Sequence, residues 1–168
     1  LGALAASLYI VSAYPALSSY RDAGDMAAGA WTLGVAHPPG YPFYVLVGRA
    51  WATLLPMGSS AYRLNALSAL AAGLAVGLTA WAAWRASGRS ERRAAPLLAA
   101  AATLAAAPAF WHLATLSEMY ALNALFGAGL LALAALGDAG PRPVLAGAFV
   151  LGLAAGNHQT ALALAPGL

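Results

Sequence analysis

The sequence contains no cysteine and no lysine among its 168 residues, and only five acidic side chains. Without cysteine there is no disulfide and no thiolate metal site. Without lysine, all eight basic residues are arginines. Together with abundant alanine and glycine, that usage points to a GC-rich bacterial genome. Charge as a whole is scarce, at 8% of residues, against about 25% in a soluble globular domain. So few charges cannot cover a water-facing surface. The net charge of +3 is too small and too dispersed for a nucleic-acid partner. The arginines read instead as topology signals.

What is present is apolar: 62% hydrophobic residues and a mean hydropathy of +0.73. Five apolar segments, residues 1–17, 62–84, 94–111, 119–136 and 144–157, approach the ~20 residues that a bilayer span needs. The expected fold is all-α: a polytopic transmembrane helical bundle of about five spans. It forms a single domain over residues 1–168, the N-terminal part of a longer membrane domain. The opening run resembles a signal-peptide core but has no charged region before it, and further spans follow, so it reads as a first span. Residues 43–55 are too short to cross and carry Arg49 mid-segment, which suggests a short surface or re-entrant helix.

Residues 85–93, "RASGRSERR", hold four arginines and one glutamate, which the positive-inside rule places in the cytoplasm. Alternation then puts five arginines and two acids (Glu91 and Asp138) inside, and three arginines and three acids outside. The expected location is a multi-pass plasma membrane, the bacterial inner membrane, with the lipid bilayer as partner. Under this topology the unusual stretches all fall on the outer side: "YRDAGDM", "HPPGYP", "FWHLATLSEMY" and "GNHQT".

Those stretches hold the candidate site. Asp22 and Asp25 are three apart, so a helix beginning after Tyr20 puts both on one face; alternatively Asp22 is the N-cap of a helix over residues 23–33, with Asp25 favourable at its positive end. His37 sits at a break where Pro38, Pro39 and Pro42 stiffen the chain and Gly40 permits a tight turn or close approach to a ligand. Pro42 suits the first turn of the next helix. Glu118 precedes the fourth apolar segment, where a capping role with Ser117 or Thr115 is the plainer reading. Asn157 and His158 end the fifth. Arg63 and Asn65 open the second, with Arg63 suited to a phosphate, of lipid or of a specific donor. His112 beside Trp111 fits an interfacial aromatic belt.

"DAGDMAAGAWTLGVAHPPGYPFYVLVGR", "YRLNALSAL", "LSEMYALNALF" and "GNHQT", in this order, resemble a polytopic membrane family related to the transmembrane protein O-mannosyltransferases. The resemblance runs from about Tyr20 to Thr160. It implies a glycosyltransferase of the GT-C type, which takes a sugar from a polyprenyl-phosphate carrier on the outer face. It also implies an acidic motif in the first outer loop. Relatives usually read Asp-Ser-Gly-Glu where this chain has Asp22-Ala23-Gly24-Asp25, so the second acid is one methylene shorter.

The implied reaction is attack by an acceptor hydroxyl on the anomeric carbon, with inversion, the acceptor being a protein or a glycan. A phosphate leaves without an acid's help, so one carboxylate base and donors at the phosphate suffice. Asp25 or Asp22 is the expected catalytic base. His37, Tyr41, Arg63, Asn65, Glu118, Asn157 and His158 are the expected substrate- or donor-binding residues. Acids and histidines are also ligands for a divalent cation, but no ligand spacing marks a site, so no cofactor is expected. The alternative reading is a transporter or flippase of a lipid-linked substrate, which would place its binding groups near the midplane.

Overall fold

The computed structural model describes residues 1–137 and 140–167. Asp138, counted above on the cytoplasmic side, lies outside the described residues, as do Ala139 and Leu168. The described chain is all-helical: α1 (Gly2–Ser12), α2 (Ala23–Thr32), α3 (Pro42–Leu54), α4 (Ser60–Ala86), α5 (Glu91–Ala106), α6 (Pro108–Ala114), α7 (Tyr120–Ala134) and α8 (Pro141–Asn157), followed by a 3-10 segment, Gln159–Gly167.

Helix α4 is the centre. Ser59 caps its start, its hydroxyl accepting the Tyr62 N–H at 3.1 Å, as a serine N-cap should. Helices α1 and α7 pack along it, α5 and α6 join one side, and α3 bridges to α8. The core is built from small residues, with Ala69, Ala71, Ala72 and Val76 of α4 buried against Ala5 and Tyr9 of α1. Alanine and glycine let helix axes approach closely. Gly73 makes this plain, since any Cβ there would run into the backbone and side chain of Ala6.

The expectation of about five spans is not met. Among the described residues only α4, at 27 residues, is long and apolar enough to cross a membrane. The pair α5 and α6 qualifies only jointly, and it is bent by 63°. The apolar segments are helical where expected, but in three of them the helices fall short of the segment or are broken within it. Pro108 cannot continue a helix and forces Ala107 into an extended conformation, which splits residues 94–111 in two. Helix α7 starts only at Tyr120, after a non-helical segment over residues 115–119, and ends before Gly137, whose φ is +68°. That leaves it 15 residues, and α1 and α8 have 11 and 17, against the ~20 required. Composition measured the apolar runs; it could not see where the backbone leaves the helix inside them.

The short helix expected over residues 43–55 is α3. Its Arg49 reaches back to the end of α2, donating to the Trp31 carbonyl at 2.6 Å with its guanidinium 4.9 Å from the Trp31 ring centroid. A cation is favoured at a helix C-terminus and over an indole face. Asp22 stands at the N-cap position of α2, as expected, but its side chain makes no capping bond.

Close packing of α1 on α4 leads to a contrast. Gly73→Val should destabilise the protein by about 1–3 kcal/mol, as overpacking does. Gly129→Ala, in open space on α7, should be neutral or raise stability by up to ~1 kcal/mol. Thermal unfolding in detergent would measure both, and equal effects would contradict the close approach at Gly73.

Candidate functional site

The site forms where the start of α2, the turn before α3 and the end of α8 meet. The turn is tightly specified. Gly40 N–H donates to the His37 carbonyl at 2.8 Å, Gly40 has φ +92°, and the Pro38–Pro39 peptide is cis. Tyr41 then adopts a left-handed conformation, φ +47°, which is uncommon for a bulky residue and concentrates at functional sites. Pro42 occupies the first turn of α3, where its missing N–H costs nothing.

Asp25 closes α2 onto this turn. Its Oδ2 accepts two hydrogen bonds from His37, from the backbone N–H at 2.9 Å and from Nδ1 at 2.7 Å. A carboxylate only accepts, so Nδ1 carries a proton and, in the neutral ring, Nε2 holds the lone pair. Nε2 lies 3.0 Å from the Tyr41 hydroxyl, which donates to it, and 3.7 Å from Asp22 Oδ2. Asp25, His37 and Tyr41 thus form a hydrogen-bonded chain with Asp22 alongside. Asp22, Asp25 and His37 are solvent-accessible, with side chains 37–47% exposed. The His37 amide, first, and its ring, second, hold the Asp25 carboxyl below its ordinary range.

The Tyr41 ring stacks on His158 at 5.8 Å, and Tyr120 meets the other ring from α7 at 5.5 Å. His158 Nδ1 accepts from the Thr160 amide at 3.2 Å and lies 2.7 Å from its hydroxyl. This places the proton of neutral His158 on Nε2. The three rings make an aromatic wall beside the acid–histidine chain.

Glu118 lies behind, and it is not a cap. It is fully buried, and neither carboxylate oxygen has a hydrogen-bond partner. Burial, first, and the charge of Asp22, second, push its pKa up; Arg21 and the nearby Asp22 amide oppose this, the amide without meeting hydrogen-bond geometry. A helix N-terminus is worth at most ~2 kcal/mol to an anion. Burying an ionised carboxylate without partners costs several kcal/mol. Burial without partners therefore favours the neutral acid. Tyr44 of α3 is equally buried, its hydroxyl also unpartnered, and burial pushes its pKa up.

Of the residues expected in the site, Asp22, Asp25, His37, Tyr41 and His158 come together. Three others are engaged in the scaffold. Arg63 donates to the carbonyls of Ala52, Met57 and Gly58 at 2.8–3.3 Å, which ties the turn between α3 and α4. Asn65 is buried and donates to Tyr14 and Ala16 carbonyls. Asn157 is buried and donates to the Met119 carbonyl at 3.1 Å. Among the described residues no three acids and histidines converge to hold a metal ion. Tyr120, Thr160 and Tyr44 were not anticipated, although Tyr120 and Thr160 stand inside "SEMY" and "GNHQT". His112 meets Tyr20 edge-on at 4.4 Å.

The chain is apolar and, among the described residues, all-helical, with a polar cluster gathered where three helix ends meet. Residues 22–168 match the family described as the Protein O-mannosyl-transferase TMEM260 N-terminal domain, and the chain belongs to that family. It is 36% identical over 145 residues to the Protein O-mannosyl-transferase TMEM260 of Mus musculus, covering 83% of this chain and 20% of that protein. It is 33% identical over 70 residues to the Protein O-mannosyl-transferase tmem260 of Dictyostelium discoideum, covering 40% of this chain and 8% of that protein. The chain therefore spans about a fifth or less of the length of these relatives. No solved structure matches.

The Asp25 contact has a signed consequence. A depressed carboxyl pKa stabilises the fold above the ordinary value of 3.8, and that contribution is lost as pH falls through the lower folded value. Carboxyl NMR titration should place Asp25 below 3.8. His37→Ala should raise it only part of the way, because the backbone donor remains. An Asp25 value at or above the ordinary one would contradict the double contact.

Proposed function

We propose that this chain carries the catalytic cluster of a membrane protein O-mannosyl-transferase, moving mannose from a polyprenyl-phosphate donor to a protein hydroxyl with inversion. The observation that carries the reading is the Asp25–His37–Tyr41 chain with Asp22 beside it, in a chain whose relatives are protein O-mannosyl-transferases.

The geometry favours His37 over Asp25 as the base. Asp25 Oδ2 is occupied twice, and its lowered pKa weakens it as a proton acceptor. His37 Nε2 presents a lone pair that Asp25 fixes by holding Nδ1–H. The acceptor hydroxyl takes the place of the Tyr41 hydroxyl at Nε2. Its oxygen forms the bond to the anomeric carbon, its proton passes to Nε2, and the carbon–oxygen bond to the phosphate breaks, its electron pair leaving with the lipid phosphate. The resulting imidazolium lies between Asp25 and Asp22, whose charges stabilise it. The wall of Tyr41, His158 and Tyr120 offers ring faces for the sugar.

The membrane setting fits the outward surface, where Val11, Val35, Leu54, Leu145 and Phe149 are between 68% and 89% exposed. Exposed apolar area on this scale marks a lipid or protein contact. In α4, Ser68 touches the site segment and Arg85 lies about 26 Å further along, at 1.5 Å per residue. That spacing supports a placement in which the Glu118 segment and the arginines of residues 85–93 lie near opposite faces of a bilayer, with the Glu118 end outward by the positive-inside rule.

The test is full-length protein in membranes with polyprenyl-phosphate mannose and an acceptor peptide, following transferred mannose and released lipid phosphate. His37→Ala and Asp25→Asn should each lose about 10²–10⁴-fold, the range of general base catalysis. Asp25→Glu should keep substantial activity. Near-normal turnover in His37→Ala would return the base to a carboxylate.

A further inference from the structure

The segment from Thr115 to Met119 is buried throughout and fastened from four sides. The Tyr14 amide donates to Thr115 O at 3.4 Å, and Ser117 Oγ donates to Ala23 O of α2 at 3.1 Å. Ser68 Oγ of α4 lies 3.5 Å from Glu118 O, and Asn157 Nδ2 of α8 donates to Met119 O at 3.1 Å. Polar groups of the segment's backbone are thus met by neighbouring elements. Its one ionisable side chain, Glu118, is met by none. Buried polar atoms are nearly always partnered, so an orphaned carboxyl in an otherwise satisfied segment calls for a role.

The surroundings indicate which. The Glu118 carboxyl lies toward the first turn of α2, near the Asp22 amide, and that turn carries both Asp22 and Asp25. The titratable and charged groups around it are Asp22 and Arg21 at the start of α2 and Tyr44 of α3. From α4 and α8 come the neutral Ser68 and Asn157. No cation is paired with it at salt-bridge distance among the described residues.

We propose that Glu118 is a positioning residue that works as an uncharged carboxylic acid, wedged under the first turn of α2 so that Asp25 meets His37 and Asp22 stays beside them. Ionising Glu118 would set a second negative charge behind Asp22, opposed only by Arg21 and the Asp22 amide, neither of which bonds it in the structure, and would push the start of α2 off its seat. The carboxyl, withdrawn from solvent, does not touch substrate; it acts through α2. This deepens the transferase reading and rests on it for its effect on turnover.

The experiment compares full-length wild type, Glu118→Gln and Glu118→Ala. Glutamine copies the neutral acid in size and polarity. It should keep kcat close to wild type at neutral pH and lose the fall in activity that wild type shows as pH rises through the Glu118 pKa. Alanine should lower kcat by up to about 10²-fold, the scale of a small misplacement of catalytic groups, with KM little changed. Two readouts need no turnover. The infrared band of a protonated carboxyl should be present in wild type at neutral pH and absent in Glu118→Gln. The His37 ring N–H resonance bonded to Asp25 should persist in Glu118→Gln and vanish in Glu118→Ala. Loss of activity and of that resonance in glutamine as severe as in alanine would overturn the proposal, as would a wild type lacking the protonated band. A wild type that moves no mannose but keeps both spectroscopic signatures would instead sink the transferase reading and leave the placement of Glu118 supported.

Discussion

Two hydrogen bonds onto a single oxygen, Asp25 Oδ2, join the start of α2 to the turn that launches α3. Much of the site's order follows from that junction. The backbone bond fixes where the turn begins and the ring bond fixes which imidazole nitrogen is protonated. The ring orientation then determines what Tyr41 can reach, and Tyr41 in turn presents its face to His158 at the end of α8. A left-handed backbone at Tyr41 is tolerable because both its hydroxyl and its ring are engaged once it is adopted.

The carboxyls of Asp25 on α2 and of Glu118 beneath its first turn show how environment assigns opposite states to similar chemistry. Asp25 has two donors and access to solvent, so its charged form is favoured. Glu118 has neither, and like charge from Asp22 adds to the cost of ionising it. Both effects are local, and both depend on where the backbone brings donors rather than on the residues' intrinsic acidity. A polar cluster with one acid kept charged and another kept neutral can hold a proton in one place and accept one in another.

How much of this was legible beforehand depends on whether the signal was local. The helical class, the short α3 and the position of α2 were readable from the length of the apolar runs, the prolines and the spacing of Asp22 and Asp25. The gathering of Asp22, Asp25, His37, Tyr41 and His158 was anticipated as a set, because each stands in a stretch whose composition breaks an apolar pattern. Span count was not readable: helix length depends on where residues 107 and 115–119 leave the helix, and those exits are set by tertiary fastening as much as by Pro108. Arg63, Asn65 and Asn157 were expected at the ligand, and in the structure their side chains donate to scaffold carbonyls. A sequence shows that a polar group sits at a helix end, but not whether a carbonyl from a distant turn has claimed it. Tyr44 gave no signal, because a tyrosine in an apolar helix looks like ordinary core until its hydroxyl is found without a partner.

The close approach of α1 to α4 through Gly2 and Gly73 has an evolutionary side. These positions hold no chemistry, yet hardly any other side chain fits there, so drift at them is nearly forbidden. Substitution there is opposed for reasons of space, whereas at the acids and the histidine it is opposed for reasons of reactivity. Invariance ranked without regard to burial would place a helix contact and a reaction centre side by side. What separates them is that a glycine at a contact answers to volume, whereas an acid at a site answers to charge.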